Sequence, residues 1–134
     1  MTDTFADPYD YLRHTPAARS LTLALPGHWS VNAMLRMHHR RRSRIRDDLK
    51  LYCQVQRPRH WTPLERYRLD AEIRTWNLLD PLELRASLKL HVDALRLARI
   101  VADDSARELE IGEITQRIAR RDRGVTITVT EVAP

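Results

Sequence analysis

Two groups of carboxylates flank a long apolar segment in the C-terminal half of the chain. Asp80 and Glu83 lie at its start, and Asp103 and Asp104 lie just after its end. Magnesium prefers oxygen ligands, and it usually takes only a few carboxylates, so that water and substrate phosphates fill the remaining positions. These residues, with Asp93 between the two groups, are therefore the candidates for a magnesium-dependent nuclease site.

Each group also has a purely structural interpretation. Asp103 and Asp104 suit a polar turn after a helix, and Asp80 and Glu83 form a capping box around Pro81, worth about 1 kcal/mol. A straight helix of about twenty residues between the groups is about 30 Å long. The groups then share one metal only if the segment bends, ends early or meets a second copy of the chain.

The second chemical feature is a dense basic segment, residues 36–46, with the sequence RMHHRRRSRIR. Arginine forks match phosphate oxygens, which predicts contacts to a DNA backbone rather than base reading. The alternative is a solvated charged face, and the adjacent histidines point in different directions, so they rarely bind one metal together. The candidate DNA-binding residues are Arg36, His38, His39, Arg40, Arg41, Arg42, Arg44 and Arg46.

Composition limits the alternatives. The 134 residues are enough for one domain, and the net charge of +5 favours an anionic partner. Three glycines cannot build a Walker or dinucleotide-binding loop. The single Cys53, expected to be a half-buried small hydrophobe, cannot supply a disulfide framework or a multi-cysteine zinc site. No apolar run is long enough to span a membrane, and the first residues do not resemble a signal peptide, so we expect an intracellular protein with no membrane partner.

The elements that position these residues are predicted in the order β-α-β-α-β-β. Pro26 and Gly27 end the first strand, residues 31–45 are expected to be partly loop, and RRDRG (120–124) supplies turn residues between the last two strands. Residues 1–17 are predicted to be a loosely ordered arm. The predicted elements are a strand at 20–25, a helix at 43–56, strands at 65–76, 108–120 and 124–132, and a helix at 80–100.

The segment 80–100 carries conflicting signals. Apolar and polar residues alternate from Leu82 to Ala94, which is typical of a strand, but the composition is rich in helix formers and the start carries helix-capping residues. We predict a helix, in which Lys89 and Asp93 form an exposed pair at i, i+4 spacing. Its apolar stripe comprises Leu84, Leu88, Val92, Leu95 and Ala98.

Over roughly residues 20–132, the chain resembles the RusA-type Holliday junction resolvases, especially their actinobacterial and phage branch. RMHH followed by arginines is similar to the basic region of that family. Its later motif of a serine or threonine, a lysine, an aspartate and a paired aspartate before a strand is matched without gaps. The matching residues are Ser87, Lys89, Asp93, Asp103 and Asp104. The D-x-D-N motif falls on DPLE, where Asp80 matches the first acid, Leu82 replaces the second and Glu83 replaces the asparagine.

The resemblance implies an α+β fold with a mixed sheet of about four strands and two main helices, spanning residues 18–134, in an intertwined homodimer. It also implies magnesium-dependent cleavage of four-way DNA in recombination and repair, in the cytoplasm of a bacterium, encoded by the host or by a phage. Asp80 and Asp104 would then be metal ligands, Glu83 and Asp103 further candidates, and Lys89 a catalytic or phosphate-contacting cation.

Leu82 can hold no metal, so two other functions stay open. The chain is either a RusA-like protein that grips branched or duplex DNA without cutting it, or an adaptor whose arginines meet an acidic protein partner.

Overall fold

The computed structural model describes residues 19–102 and 109–132, and the predicted arm lies outside this range. The described chain is a small α+β domain with one four-stranded mixed sheet. The two predicted main helices are α2 and α3, and a short helix α1 precedes them. The elements are β1 (Ser20–Pro26), α1 (Val31–Arg36), α2 (His39–Gln56), β2 (Tyr67–Thr75), α3 (Lys89–Leu97), β3 (Leu109–Ile118) and β4 (Gly124–Glu131).

The strands follow the order β1-β4-β2-β3 across the sheet. β4 pairs antiparallel with β1 and β2, whereas β2 and β3 are parallel. The predicted alternation in β2 is confirmed, because Tyr67, Leu69, Ala71 and Ile73 are all buried. The turn between β3 and β4 joins strands that are not neighbours, since β2 lies between them.

The core lies on one face of the sheet, beneath α2 and α3. α2 contributes Leu49 and Cys53, and the region around α3 contributes Leu88 and Leu95, each of them 2% exposed or less. Burying a leucine side chain stabilises a fold by about 1.5–3 kcal/mol, so this face holds the domain together. Cys53 is a free thiol that is fully buried, not half-buried as predicted, and burial raises its pKa to about 12.

The prediction that residues 31–45 are partly loop holds only for Met37 and His38, because the rest of the segment is helical. Ser30 caps α1 by accepting a hydrogen bond from the Ala33 amide, at 3.1 Å. His38 caps α2 in the same way through its Nδ1, which accepts from the Arg40 amide at 3.2 Å. Histidine is not a usual N-cap residue, so the sequence carries no recognised start signal for α2 before Ser43.

The single helix predicted over residues 80–100 is interrupted. Asp80 is the predicted N-cap, but it caps a 3₁₀ turn at Pro81–Glu83, and a second 3₁₀ turn at Ala86–Leu88 comes before α3. Ser87 Oγ donates to the Leu84 carbonyl at 2.7 Å, an alternative to regular helical bonding at the break. The strand alternative is wrong, and the predicted apolar stripe is buried or packed on the core.

No helix in the described ranges, 19–102 and 109–132, is long and apolar enough to cross a membrane.

Candidate nucleic-acid interface and metal site

The basic segment, residues 36–46, runs from the last residue of α1 into the first half of α2. The C-terminal half of α2 is fixed to the domain. There Leu49 and Cys53 are buried, and the Gln56 amide bonds both backbone groups of Ala24 in β1, at 2.8 and 2.9 Å. The fully buried residues of the helix therefore lie beyond the basic segment, in which Ile45 packs only partly on the core, and the first turns are left to carry charge.

The arginines of the basic segment have no acidic partner within residues 19–102 and 109–132. Arg36, Arg40, Arg41 and Arg44 are exposed, and none of them forms an ion pair or side-chain hydrogen bond with the part of the chain that the structure describes. Arg42 and Arg46 are half-buried, and Arg46 packs inward far enough that its Nε is buried without a partner among the described residues. The exposed guanidinium groups are thus available to an external anion.

The start of α2 concentrates charge of one sign. Its first turn holds no acidic residue, and Arg40, Arg41 and Arg42 stand at the end where the helix dipole is already positive. Cations at that end oppose the dipole by about 0.3–1 kcal/mol each at an exposed position. An external anion removes this conflict, because it interacts favourably with the side chains and with the dipole.

His38 and His39 form no metal site with the rest of the described chain. Their ring centroids are 4.2 Å apart, and the Nδ1 of His38 is used in capping α2. Both side chains are exposed beside the arginines, where the sequence predicted a solvated or DNA-facing position.

At the candidate metal site, Asp80 is exposed and its Oδ1 accepts a hydrogen bond from the Leu82 amide at 2.9 Å. Leu82, at the position of the missing second acid, is 91% exposed, and Glu83 is half-buried. The Gln116 side chain bonds both backbone groups of Leu79 at 2.9 Å and so holds this segment near the end of β2.

The second group of carboxylates, Asp103 and Asp104, lies outside the described residues. Ala102, just before them, donates to the Leu64 carbonyl at 2.8 Å, and Leu109, the next described residue, pairs with Tyr67 at the start of β2. Both flanks therefore lie at the end of the sheet opposite to Asp80.

The separation between the two ends follows from strand geometry. Gln116, which holds the Asp80 segment, pairs with Ile73, and six residues separate Ile73 from Tyr67. At about 3.3 Å per residue, the ends are about 20 Å apart. Residues 19–102 and 109–132 contain no group of three His, Cys, Asp or Glu side chains suited to a metal ion. The described residues do not by themselves make up a magnesium site.

Two other positions that match the resolvase motif have structural roles. Asp93 pairs with Lys89 Nζ at 3.7 Å and with Arg96 Nη2 at 3.2 Å, so the predicted i, i+4 pair forms. It is not the exposed pair that was predicted, because Asp93 is only 9% exposed. Ser87 is fully buried and bonds Leu84 and His28. The side chain of Lys89 is 73% exposed, so it is free to reach a ligand.

One feature escaped the sequence analysis because it joins distant parts of the chain. The loop between β1 and α1, with His28 and Trp29, lies against the arginine-rich turn between β3 and β4. The sequence signal for this feature is the three arginines within residues 120–123, for which the local pattern predicts only a turn.

No protein-family model matches the chain, and no curated protein matches it.

Proposed function

We propose that this protein is a RusA-like DNA-binding protein that engages branched or duplex DNA through the basic segment, and that its magnesium-dependent cleavage of four-way junctions is attenuated. The observation that carries the proposal is the row of exposed arginines on α2 that lack acidic partners among the described residues. Their charge is not used within the fold described, and phosphate is the anion that arginine forks match best.

Binding of this kind is driven by counterion release. Each neutralised phosphate contributes a slope of about −0.9 to the log–log dependence of affinity on salt, so six engaged arginines give a slope near −5. Contacts of arginine with phosphates position a protein on DNA without reading its bases. Selectivity for branched DNA then comes from shape, and a homodimer presents two such helices to the arms of a junction.

The attenuation follows from the acidic residues. Leu82 stands at the second acid position of the resolvase motif with its side chain in solvent, and the Asp80 carboxylate is engaged by the Leu82 amide. Asp80 also lies about 20 Å of strand away from the residues that flank Asp103 and Asp104. We therefore propose that Asp80 would share a metal with carboxylates of a second copy of the chain, in line with the homodimer that the resemblance implies.

The decisive experiment uses a labelled four-way junction, with linear duplex as the comparison, with and without magnesium. We expect the protein to shift the junction at low salt with or without magnesium. Symmetric nicking in magnesium should be slow, and Asp104→Asn should remove whatever nicking is detected. Rapid nicking would overturn the attenuation and establish a full resolvase. Absence of binding to every DNA form at low salt would overturn the proposal and leave the arginines to an acidic protein partner.

Restoring the second acid separates a degenerate site from one that has lost several parts. Leu82→Asp costs little stability because the side chain is 91% exposed, and we expect it to raise magnesium-dependent nicking. Leu78→Asp is the matched control, since Leu78 is also exposed and lies in the same connection but outside the motif. Equal nicking by the two variants would show that more than one part of the site is missing.

A further inference from the structure

A cleft of about 300 Å³ lies between the loop that joins β1 to α1 and the turn that joins β3 to β4. It is separate from the exposed arginines of α2 that carry the proposed DNA binding. Its lining residues are Gly27, His28, Trp29, Arg120, Arg121 and Arg123.

The loop wall of the cleft is held by backbone contacts. Gly27 has φ +76°, and a Cβ atom there would lie 2.5 Å from the Trp29 ring, so the indole packs directly over the glycine. His91 Nε2 donates to the Gly27 carbonyl at 3.0 Å, and the Gly27 amide donates to the Arg123 carbonyl at 3.3 Å. This last bond ties the two walls together.

His28 contributes polarity to the cleft without charge. Ser87 Oγ donates to the Leu84 carbonyl, so it accepts from His28 Nε2 at 2.8 Å, and the Nδ1 of His28 carries no proton. Burial lowers the pKa of His28 to about 4, which keeps the ring neutral at physiological pH. The positive charge of the cleft therefore comes from the arginines of the turn.

The one acid in the turn points elsewhere. Asp122 Oδ2 lies 3.5 Å from Arg74 Nε, and its backbone carbonyl accepts a hydrogen bond from the same Nε at 3.0 Å. Arg120, Arg121 and Arg123 form no ion pair within residues 19–102 and 109–132. Three cations thus face a cleft whose described lining holds no carboxylate.

Two of these cations share one aromatic ring. The guanidinium carbons of Arg120 and Arg123 lie 5.5 and 5.8 Å from the centroid of Trp76. The ring holds each cation in place, but two like charges on one ring repel each other. An anion bound between them offsets that repulsion.

We propose that this cleft binds a phosphate group, carried by a free nucleotide or by a nucleic-acid strand. Arginine forks bind phosphate oxygens in two-pronged geometry, and the cleft volume is at the small end for ligand pockets, enough for a phosphate and its sugar. The proposal does not depend on DNA binding by α2.

The test uses isothermal titration calorimetry with inorganic phosphate, thymidine monophosphate and a short oligothymidylate as probes. Wild type is compared with a triple variant, Arg120→Gln, Arg121→Gln and Arg123→Gln. The charge-matched control is Arg59→Gln, Arg85→Gln and Arg99→Gln, which neutralises three exposed arginines elsewhere. We expect wild type and control to bind with similar affinity. The triple variant should bind at least about tenfold more weakly. Thermal melting verifies that all three proteins are folded.

The probes also distinguish the two sources of phosphate. Binding of thymidine monophosphate as tight as that of the oligonucleotide indicates a free nucleotide, whereas binding of the oligonucleotide alone indicates a strand. In both cases the amide of Gly27 and the indole N–H of Trp29 should shift in ¹⁵N spectra of wild type. No binding of any probe at millimolar concentration, or equal binding by the triple variant and the control, would overturn the proposal. Junction binding by wild type with an inert cleft would leave the proposed function standing.

Discussion

Two surfaces of this domain are rich in arginine, and they use it in different ways. On the open face of the sheet, which lies opposite the helices, Arg68 pairs with Asp70 at 3.2 Å, and Arg74 and Arg117 pair with Glu72 at 3.5 and 3.3 Å. On α2, four arginines face outward or to the side without an acidic partner among the described residues; we call them the α2 arginines. They are Arg40, Arg41, Arg42 and Arg44.

The difference shows that the arrangement of arginines is more informative than their number. Exposed ion pairs contribute little stability, typically 0–1 kcal/mol, so the sheet pairs are not what holds the fold together. They do cancel the local charge, whereas the α2 arginines leave a positive field that raises the local concentration of an anionic partner. The sheet face is close to neutral, and α2 is the surface on which the proposed DNA binding depends.

The largest expected effect is the loss of DNA binding when the α2 arginines become glutamine. Four fewer phosphate contacts should reduce the magnitude of the log–log salt slope by about 3.6 and weaken junction binding by about two orders of magnitude at low salt. Gel shifts or fluorescence anisotropy across a salt series measure both quantities. Stability should not fall, because the change removes cations from the positive end of the helix dipole.

Removing arginines from the sheet face is the control for this comparison. Arg68→Gln with Arg117→Gln removes two arginines that already have acidic partners, so junction affinity should change by less than about threefold. If the sheet variant lost binding as severely as the α2 variant, net charge alone would explain the interaction and the contrast between the surfaces would be void.

The histidines also differ between buried and exposed positions, and the buried ones predict a pH dependence of stability. Burial lowers the pKa of His28 and His91 from 6.5 to about 4, whereas His38 and His39 are exposed. Between pH 4 and 6.5 the unfolded chain therefore binds more protons than the folded one, so stability is fully present above pH 6.5 and is lost as the pH falls towards 4. The fully buried His91 alone accounts for about 3 kcal/mol.

Urea unfolding at several pH values measures this loss. His91→Gln should flatten the dependence between pH 4 and 6.5, whereas His60→Gln, at an exposed position, should leave it unchanged. An unchanged slope in His91→Gln would show that the loss comes from His28 or from carboxylates instead.

Most of the fold could be predicted from the sequence because the strands carry local signals. The alternation of β2 and the β-branched residues of β4 needed no tertiary information. The start of α2 could not be predicted in this way, because its cap is a histidine and its first turns carry arginines without an apolar stripe. The break before α3 depends on the Ser87 hydroxyl and its partners, which only the folded chain brings together.

The candidate sites show the same limit. The residues of the basic segment are contiguous, so the sequence alone identifies them. Their lack of acidic partners among the described residues depends on the tertiary structure. The cleft joins residues 27–29 to residues 120–123, a pairing created by the sheet order β1-β4-β2-β3. The separation of Asp80 from Ala102 follows from the parallel pairing of β2 and β3, which no local pattern specified.

A smaller effect is expected at the sheet-face carboxylate with a backbone contact. Asp70 Oδ1 accepts from the Glu113 amide at 2.7 Å, at the bulge where the β2–β3 register shifts. Asp70→Ala leaves that amide without its partner and should lower the free energy of unfolding by about 1–2 kcal/mol, measured in urea. Asp70→Asn keeps an acceptor and should lose less. An equal loss in Arg68→Gln would show that the ion pair, and not the backbone contact, is what matters.

The smallest stability effect is expected for Lys89→Gln, and it tests whether a cation paired within the fold also contacts DNA. Lys89 is 73% exposed and lies 3.7 Å from Asp93, which keeps its closer partner Arg96 at 3.2 Å when the lysine is lost. The free energy of unfolding should therefore change by less than about 0.5 kcal/mol. Arg96→Gln should cost more, because it removes the closer partner of a carboxylate that is 9% exposed.

Because Lys89→Gln barely changes the fold, a fall in junction affinity or nicking in that variant reports direct contact of the lysine with DNA. Unchanged binding and nicking would place Lys89 with the paired arginines of the sheet, as a surface charge balanced within the protein.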